Sequence, residues 1–225
     1  MNFVDRICNL PRALRDANDL RFVKDERLLE LAEVSYELCT TWFGIPSDHA
    51  QTYYLLYSSQ NRCIPPWFTI GPYVISLKSG YAEAQNASVI AHEMYHRVTI
   101  KRPGIHRTWW VDEMIAYTLE RHAVPELGYP DYARTMHNYL MESPGHSDAR
   151  TIKEIIAKGI LPDMDRKATE FQLGCSIVSL GAQLEALVGW SNVCKIVGCP
   201  NWKEWLSHFT PPLRMKAAEL LDLAD

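Results

Sequence analysis

No stretch of this 225-residue chain approaches the roughly eighteen uninterrupted apolar residues that a membrane-spanning helix needs, so no transmembrane segment is expected. Nor does one sign of charge dominate. The 23 basic and 27 acidic residues are interspersed and leave a net charge of −4, which gives no electrostatic case for a nucleic-acid or anionic-membrane partner. Repeats, low-complexity tracts and obvious flexible linkers are also missing, so one continuous domain is expected over residues 1–225. The opening Met1-Asn2-Phe3-Val4-Asp5-Arg6 lacks the basic start and apolar run of a secretory leader, and a cytoplasmic protein is expected. The six cysteines are scattered, and in that compartment they read as free buried thiols. Cys194, Cys199 and His208 have poor spacing for a second metal, and no fourth ligand is evident.

What the chain does have is His92-Glu93-Met94-Tyr95-His96, followed by Trp109-Trp110-Val111-Asp112-Glu113-Met114-Ile115-Ala116. On a helix, residues four apart are separated by about 400° of rotation, so His92 and His96 project from one face, close enough to hold one metal ion. Glu93 lies about 100° round from His92 and flanks the same site. The flanking Val89, Ile90, Ala91, Met94, Tyr95 and Val98 make this a mostly buried helix, with Asn86-Ala87-Ser88 offering cap residues. Two histidines and a glutamate in such a segment need a reason to be there. A pair of satisfied core histidines is the plain alternative to a metal site.

The third ligand decides the class. Thr99 and Arg102 stand where the extended three-histidine motif would have glycine and histidine, so that form is excluded. Glu113, seventeen residues after His96, is the best remaining candidate, with Asp112 as rival. Lys101-Arg102-Pro103-Gly104 must end the first helix, so a second helix starting near Trp109 can return antiparallel.

Elsewhere, Leu28, Leu29, Leu31, Ala32, Val34 and Leu38 recur at helical spacing over 25–42, and Thr52 to Tyr57 and Tyr73 to Leu77 read as strands. Ile64-Pro65-Pro66-Trp67-Phe68 reads as a turn or irregular edge. A helix near Tyr132 to Met141 interrupts an irregular excursion, and apolar helical stretches fill 168–223. Small residues such as Gly174, Ser179 and Gly181 in the first of these allow close packing.

The paired motifs resemble those of the glutamate-zincins, the clan with thermolysin-like and aminopeptidase-like zinc enzymes. Trp110, Glu113 and Ala116 match a Trp-x-x-Glu-Gly-x-Ala pattern, while Met114 replaces its glycine and Tyr117 comes one residue before the clan's usual tyrosine. The resemblance implies an α+β, zincin-like fold. Its N-terminal lobe, about 1–100, would combine a small antiparallel or mixed sheet with the active-site helix, and a mostly helical lobe would follow over about 101–225. It implies one Zn²⁺ on His92, His96 and Glu113, Glu93 as general base, and a peptide or protein substrate. Oxyanion stabilisation would come from a tyrosine or histidine of the second lobe, for which Tyr132, His137, Tyr139, His146 and His208 are the candidates. Asp112 or Glu120 would hold the outer nitrogens of the zinc histidines. A zinc-holding scaffold or peptide-binding protein without efficient catalysis is the alternative function.

Overall fold

In the computed structural model, residues 21–46, 53–58, 73–78, 80–100, 102–142, 149–158 and 166–223 are described. Among the described residues, Asp25 opens the first helix, α1 (Glu26–Trp42), by accepting from the backbone N–H groups of Arg27 and Leu28. Two such bonds satisfy donors that a helix start otherwise leaves without partners. The next helix, α2 (Glu83–Thr99), begins earlier than its sequence suggests. The Gln85 side chain reaches back 3.0 Å to the N–H of Ala82, so Asn86 and Ser88 lie inside the helix instead of capping it. A single turn of 3₁₀ helix, Ile105–Arg107, then leads into α3 (Trp109–Glu126).

The remaining helices are α4 (Pro130–Glu142), α5 (Ala149–Lys158), α6 (Arg166–Val188), α7 (Trp190–Cys194), α8 (Trp202–Ser207) and α9 (Pro211–Leu220). Against these stand three short strands, β1 (Arg21–Phe22), β2 (Tyr53–Ser58) and β3 (Tyr73–Lys78). β2 pairs antiparallel with β1 and parallel with β3, in register from Tyr53 opposite Tyr73 to Ser58 opposite Lys78.

This architecture corrects the expected α+β class: the protein is mostly helical. One contiguous buried cluster runs from Val23 to Leu221, and almost all of it comes from helices, with Leu55, Ile75 and Leu77 as the contribution of β2 and β3. Strand propensity at 53–58 and 73–78 makes local extended structure, but it supplies too little apolar surface to form a lobe. The turn expected at Ile64 to Phe68 falls outside the described residues.

Packing runs from α1 to α2, from α2 to α3, and from α3 to α6. Ile90, Met94, Ile115 and Leu119 are fully buried along that path, and each such side chain contributes about 1.5–3 kcal/mol by leaving water. On the α1 side, the buried guanidinium of Arg97 lies 4.7 Å from the centre of the Tyr36 ring, a cation–π contact that accommodates its charge in the core.

The α3–α6 crossing depends on Gly181. A Cβ placed there would meet Thr118 Oγ1 at 2.4 Å and both the side chain and carbonyl of Met114 at 3.2 Å. Met114 is fully buried against this glycine. The residue that departs from the clan's pattern therefore faces the core, and the space it fills is supplied by a glycine on α6. A second tie comes from Glu185 of α6, which pairs with Arg121 and accepts from His122 at 3.0 Å.

Two outcomes follow from this crossing. Gly181→Ala should destabilise the protein by about 1–3 kcal/mol in urea unfolding, because α6 must move away from α3. For Glu185, burial raises the carboxyl pKa, but His122 and Arg121 outweigh it and hold it below the ordinary value. A depressed carboxylate stabilises the fold above its unfolded pKa of about 4.5, and that contribution fades as pH falls through the lower folded value. The melting-temperature gap between wild type and Glu185→Gln should therefore be constant near neutrality and close below about pH 4.5.

Candidate metal centre

Rising residue numbers on α2 meet falling numbers on α3: Ser88 and His92 bond to Glu120, and His96 bonds to Asp112. The two helices are thus antiparallel, as the break at Pro103-Gly104 leads one to expect. Gly104 makes the approach to that return possible. Its φ is 150°, and a Cβ there would lie 2.7 Å from the carbonyl of Cys199.

Each histidine is held from behind by a carboxylate. His92 Nδ1 is 2.7 Å from Glu120 Oε1, and His96 Nδ1 is 3.0 Å from Asp112 Oδ2. An ionised carboxylate only accepts, so both Nδ1 atoms donate and both Nε2 atoms face the space between the helices. These Nε2 atoms are 3.1 Å apart. Glu113 completes the group, with one oxygen 3.3 Å from His92 Nε2 and the other 3.5 Å from His96 Nε2.

Two ring nitrogens at that distance need a positive charge between them, either a proton on one ring or a metal ion. Two ligand atoms on a tetrahedral ion with bonds of about 2.0–2.1 Å are themselves about 3.3 Å apart, so the spacing fits a shared ion. The described residues contain one group of this kind, His92, His96 and Glu113. Its side chains are 12%, 14% and 23% exposed, buried enough to strengthen electrostatics and open enough to admit a ligand.

The electrostatics favour a cation. Burial works against charge on His92, yet the Glu113 and Glu120 carboxylates, with Glu93 nearby, raise its pKa well above the ordinary value. Burial likewise raises the Glu113 carboxyl, and His92 outweighs it and holds the group below the usual range. Glu93 has a buried Oε2 that receives no hydrogen bond among the described residues. A carboxylate oxygen left in that state is suited to take a proton or hydrogen bond from a bound molecule.

The described second-lobe candidates lie on α4 and at the end of α8. Tyr132 is half-buried on α4 and feels the charge of Glu120, which stands behind His92. His137 faces Arg121 and Glu185, and burial lowers its pKa. Tyr139 is more than half exposed, and His146 lies outside the described residues. His208 lines a separate surface cleft with Trp42, Arg102 and Lys195. Cys194 and Cys199 line that cleft too, but they form no metal group with His208, and both are free and buried.

Other residues complete the surroundings of the site. Trp110 is buried and stacks on Trp202, whereas Trp109 is 53% exposed. Ser88 donates to Glu120, a role visible in hindsight from its place four residues before His92 on the same helical face. Tyr95 packs edge-on against His96 and lies beside Asp112 on the buried side of the site. Tyr117 meets the ring of His92 edge-on, with centroids 4.8 Å apart.

Comparison with known protein families, with curated proteins and with solved structures finds no match to this chain. The geometry must therefore carry the functional reading by itself.

Removing the carboxylates behind the histidines tests the site without touching a ligand. Glu120→Gln and Asp112→Asn should each weaken metal binding by roughly 10–100-fold, measured by competition with a chromophoric chelator, while far-UV circular dichroism stays unchanged.

Proposed function

We propose that this protein is a zinc-dependent peptidase in which Glu93 is the general base. The observation that carries the reading is the convergence of both histidine Nε2 atoms on Glu113, with each Nδ1 tied to its own carboxylate and Glu93 beside them. Two imidazoles and one carboxylate are a donor set used by catalytic zinc, which keeps a further position for water or substrate. The same residues carry the resemblance of the sequence to the glutamate-zincins.

Zinc bound by His92, His96 and Glu113 would polarise the scissile carbonyl and acidify a water molecule. The protein's own residues manage the protons and the geometry. Glu93 accepts the proton at its buried Oε2 as the water oxygen bonds to the carbonyl carbon. That proton then passes to the departing amine nitrogen as the C–N bond breaks, which returns Glu93 to its ionised form. Glu120 and Asp112 keep the imidazole rings from rotating and hold both in one tautomer throughout. Trp109 stands one turn before Glu113 on α3 and is exposed, so it offers an aromatic surface to a side chain of the substrate.

A peptide or protein is the proposed substrate, and a reducing, cytoplasmic setting suits the four described cysteines, all of them buried. Among the described residues, no helix is long and apolar enough to cross a membrane.

A second reading is a zinc-holding scaffold with little or no catalysis. Its support is specific: His137 feels Arg121 and Glu185, and His208 lines a separate cleft, so two of the donors expected opposite the metal lie elsewhere.

Glu93→Gln separates the two readings. The variant should retain one zinc per chain by elemental analysis and lose peptide-library cleavage by at least about 100-fold. Undiminished cleavage in Glu93→Gln would sink the assignment of the base. A wild-type protein that holds zinc and cleaves no peptide in the library would favour the scaffold.

A further inference from the structure

We propose that Tyr117, on the same helix as the glutamate ligand, supplies the hydroxyl that hydrogen-bonds the developing oxyanion. This rests on the peptidase reading and names the donor which that reading leaves unassigned.

Placement is the first support. Glu113, Tyr117 and Glu120 occupy positions i, i+4 and i+7 of α3 and so form one stripe facing α2. Within that stripe, Glu113 reaches both Nε2 atoms and Glu120 holds His92 Nδ1. Tyr117 lies between them in sequence, with its ring edge-on to His92 at 4.8 Å and an interplanar angle of 70°. The packing fixes the ring's direction, and a fixed donor contributes without the cost of being ordered during reaction.

The state of the hydroxyl is the second. Tyr117 is half-buried, and its hydroxyl makes no hydrogen bond of its own among the described residues. Tyr95, the other tyrosine against the histidine pair, also has an unpartnered hydroxyl, but it is fully buried and lies beside Asp112, the carboxylate behind His96. A phenolic O–H can donate to an oxyanion. It keeps its proton through the step. The phenolic O–H shortens its hydrogen bond to the carbonyl oxygen as charge develops there, and no bond of the tyrosine breaks.

The rival tyrosine is less well placed. Tyr132 lies on α4 and feels the charges of Glu120 and Tyr81, whereas the ring of Tyr117 packs directly on His92.

The test is Tyr117→Phe, which keeps the ring against His92 and removes only the oxygen. Four quantities decide it: zinc per chain, kcat and KM for peptides of the cleavage library, and calorimetric affinity for a phosphinic dipeptide, whose tetrahedral anion stands in for the oxyanion. Tyr117→Phe should bind zinc as wild type does, keep KM within about twofold, lose roughly 100–1000-fold in kcat, and bind the phosphinate at least about tenfold more weakly. Wild-type kcat and phosphinate affinity in Tyr117→Phe overturn the proposal, as does the same pattern of loss appearing in Tyr132→Phe instead. If wild-type protein holds zinc and cleaves nothing, the peptidase reading fails by itself. The phosphinate affinities of wild type and Tyr117→Phe then still decide whether this hydroxyl contacts a tetrahedral anion.

Discussion

Two hydrogen bonds between helices, His92 to Glu120 and His96 to Asp112, set the arrangement on which the site depends. They join α2 to α3 across a partly buried seam, where four carboxylates and two imidazoles would otherwise be costly to bring together. Because each bond consumes an Nδ1, both Nε2 atoms must turn inward and meet Glu113. The helices thereby acquire a fixed register, and the site acquires a demand for positive charge.

Around this seam the rest of the fold acts as support. The apolar face of α2 is buried toward α1, and α3 is pressed from the other side by α6, which Gly181 brings into backbone contact with Met114. Protein interiors of this density transmit small displacements instead of absorbing them. A shift of α6 would accordingly be felt at α3, and the stripe of Glu113, Tyr117 and Glu120 would move relative to the histidines. The cluster of Glu185, Arg121 and His122 fastens the same crossing further along.

The chemistry follows from unequal environments for similar groups. Glu120 and Asp112 are engaged as acceptors, and Glu113 sits against both ring nitrogens. Glu93 keeps one buried oxygen without a donor among the described residues. Four carboxylates within one small region can therefore play three parts: orienting, ligating and accepting a proton. The proposed role of Tyr117 would add a hydroxyl donor to a site otherwise rich in acceptors.

The identities and spacing of His92, Glu93, His96 and Glu113 were legible in the chain, because helical periodicity is local and a break at Pro103-Gly104 forces the second helix to return. Asp112 and Glu120 were also legible as candidates to hold the histidines, since they share that second helix. Fold class was not. Strand propensity in 53–58 and 73–78 is a local preference, and only the summed burial of the helices showed that it does not govern the architecture. Nor could the sequence show that Met114 packs into the space left by Gly181, sixty-seven residues away, or that Trp109 is exposed while Trp110 is buried. The distribution of His137 and His208 away from the seam, and of Tyr117 onto it, was likewise decided by tertiary packing. Sequence alone determines which residues share a helical face; which faces meet depends on the shapes and volumes of distant side chains, and those are resolved only when the helices pack.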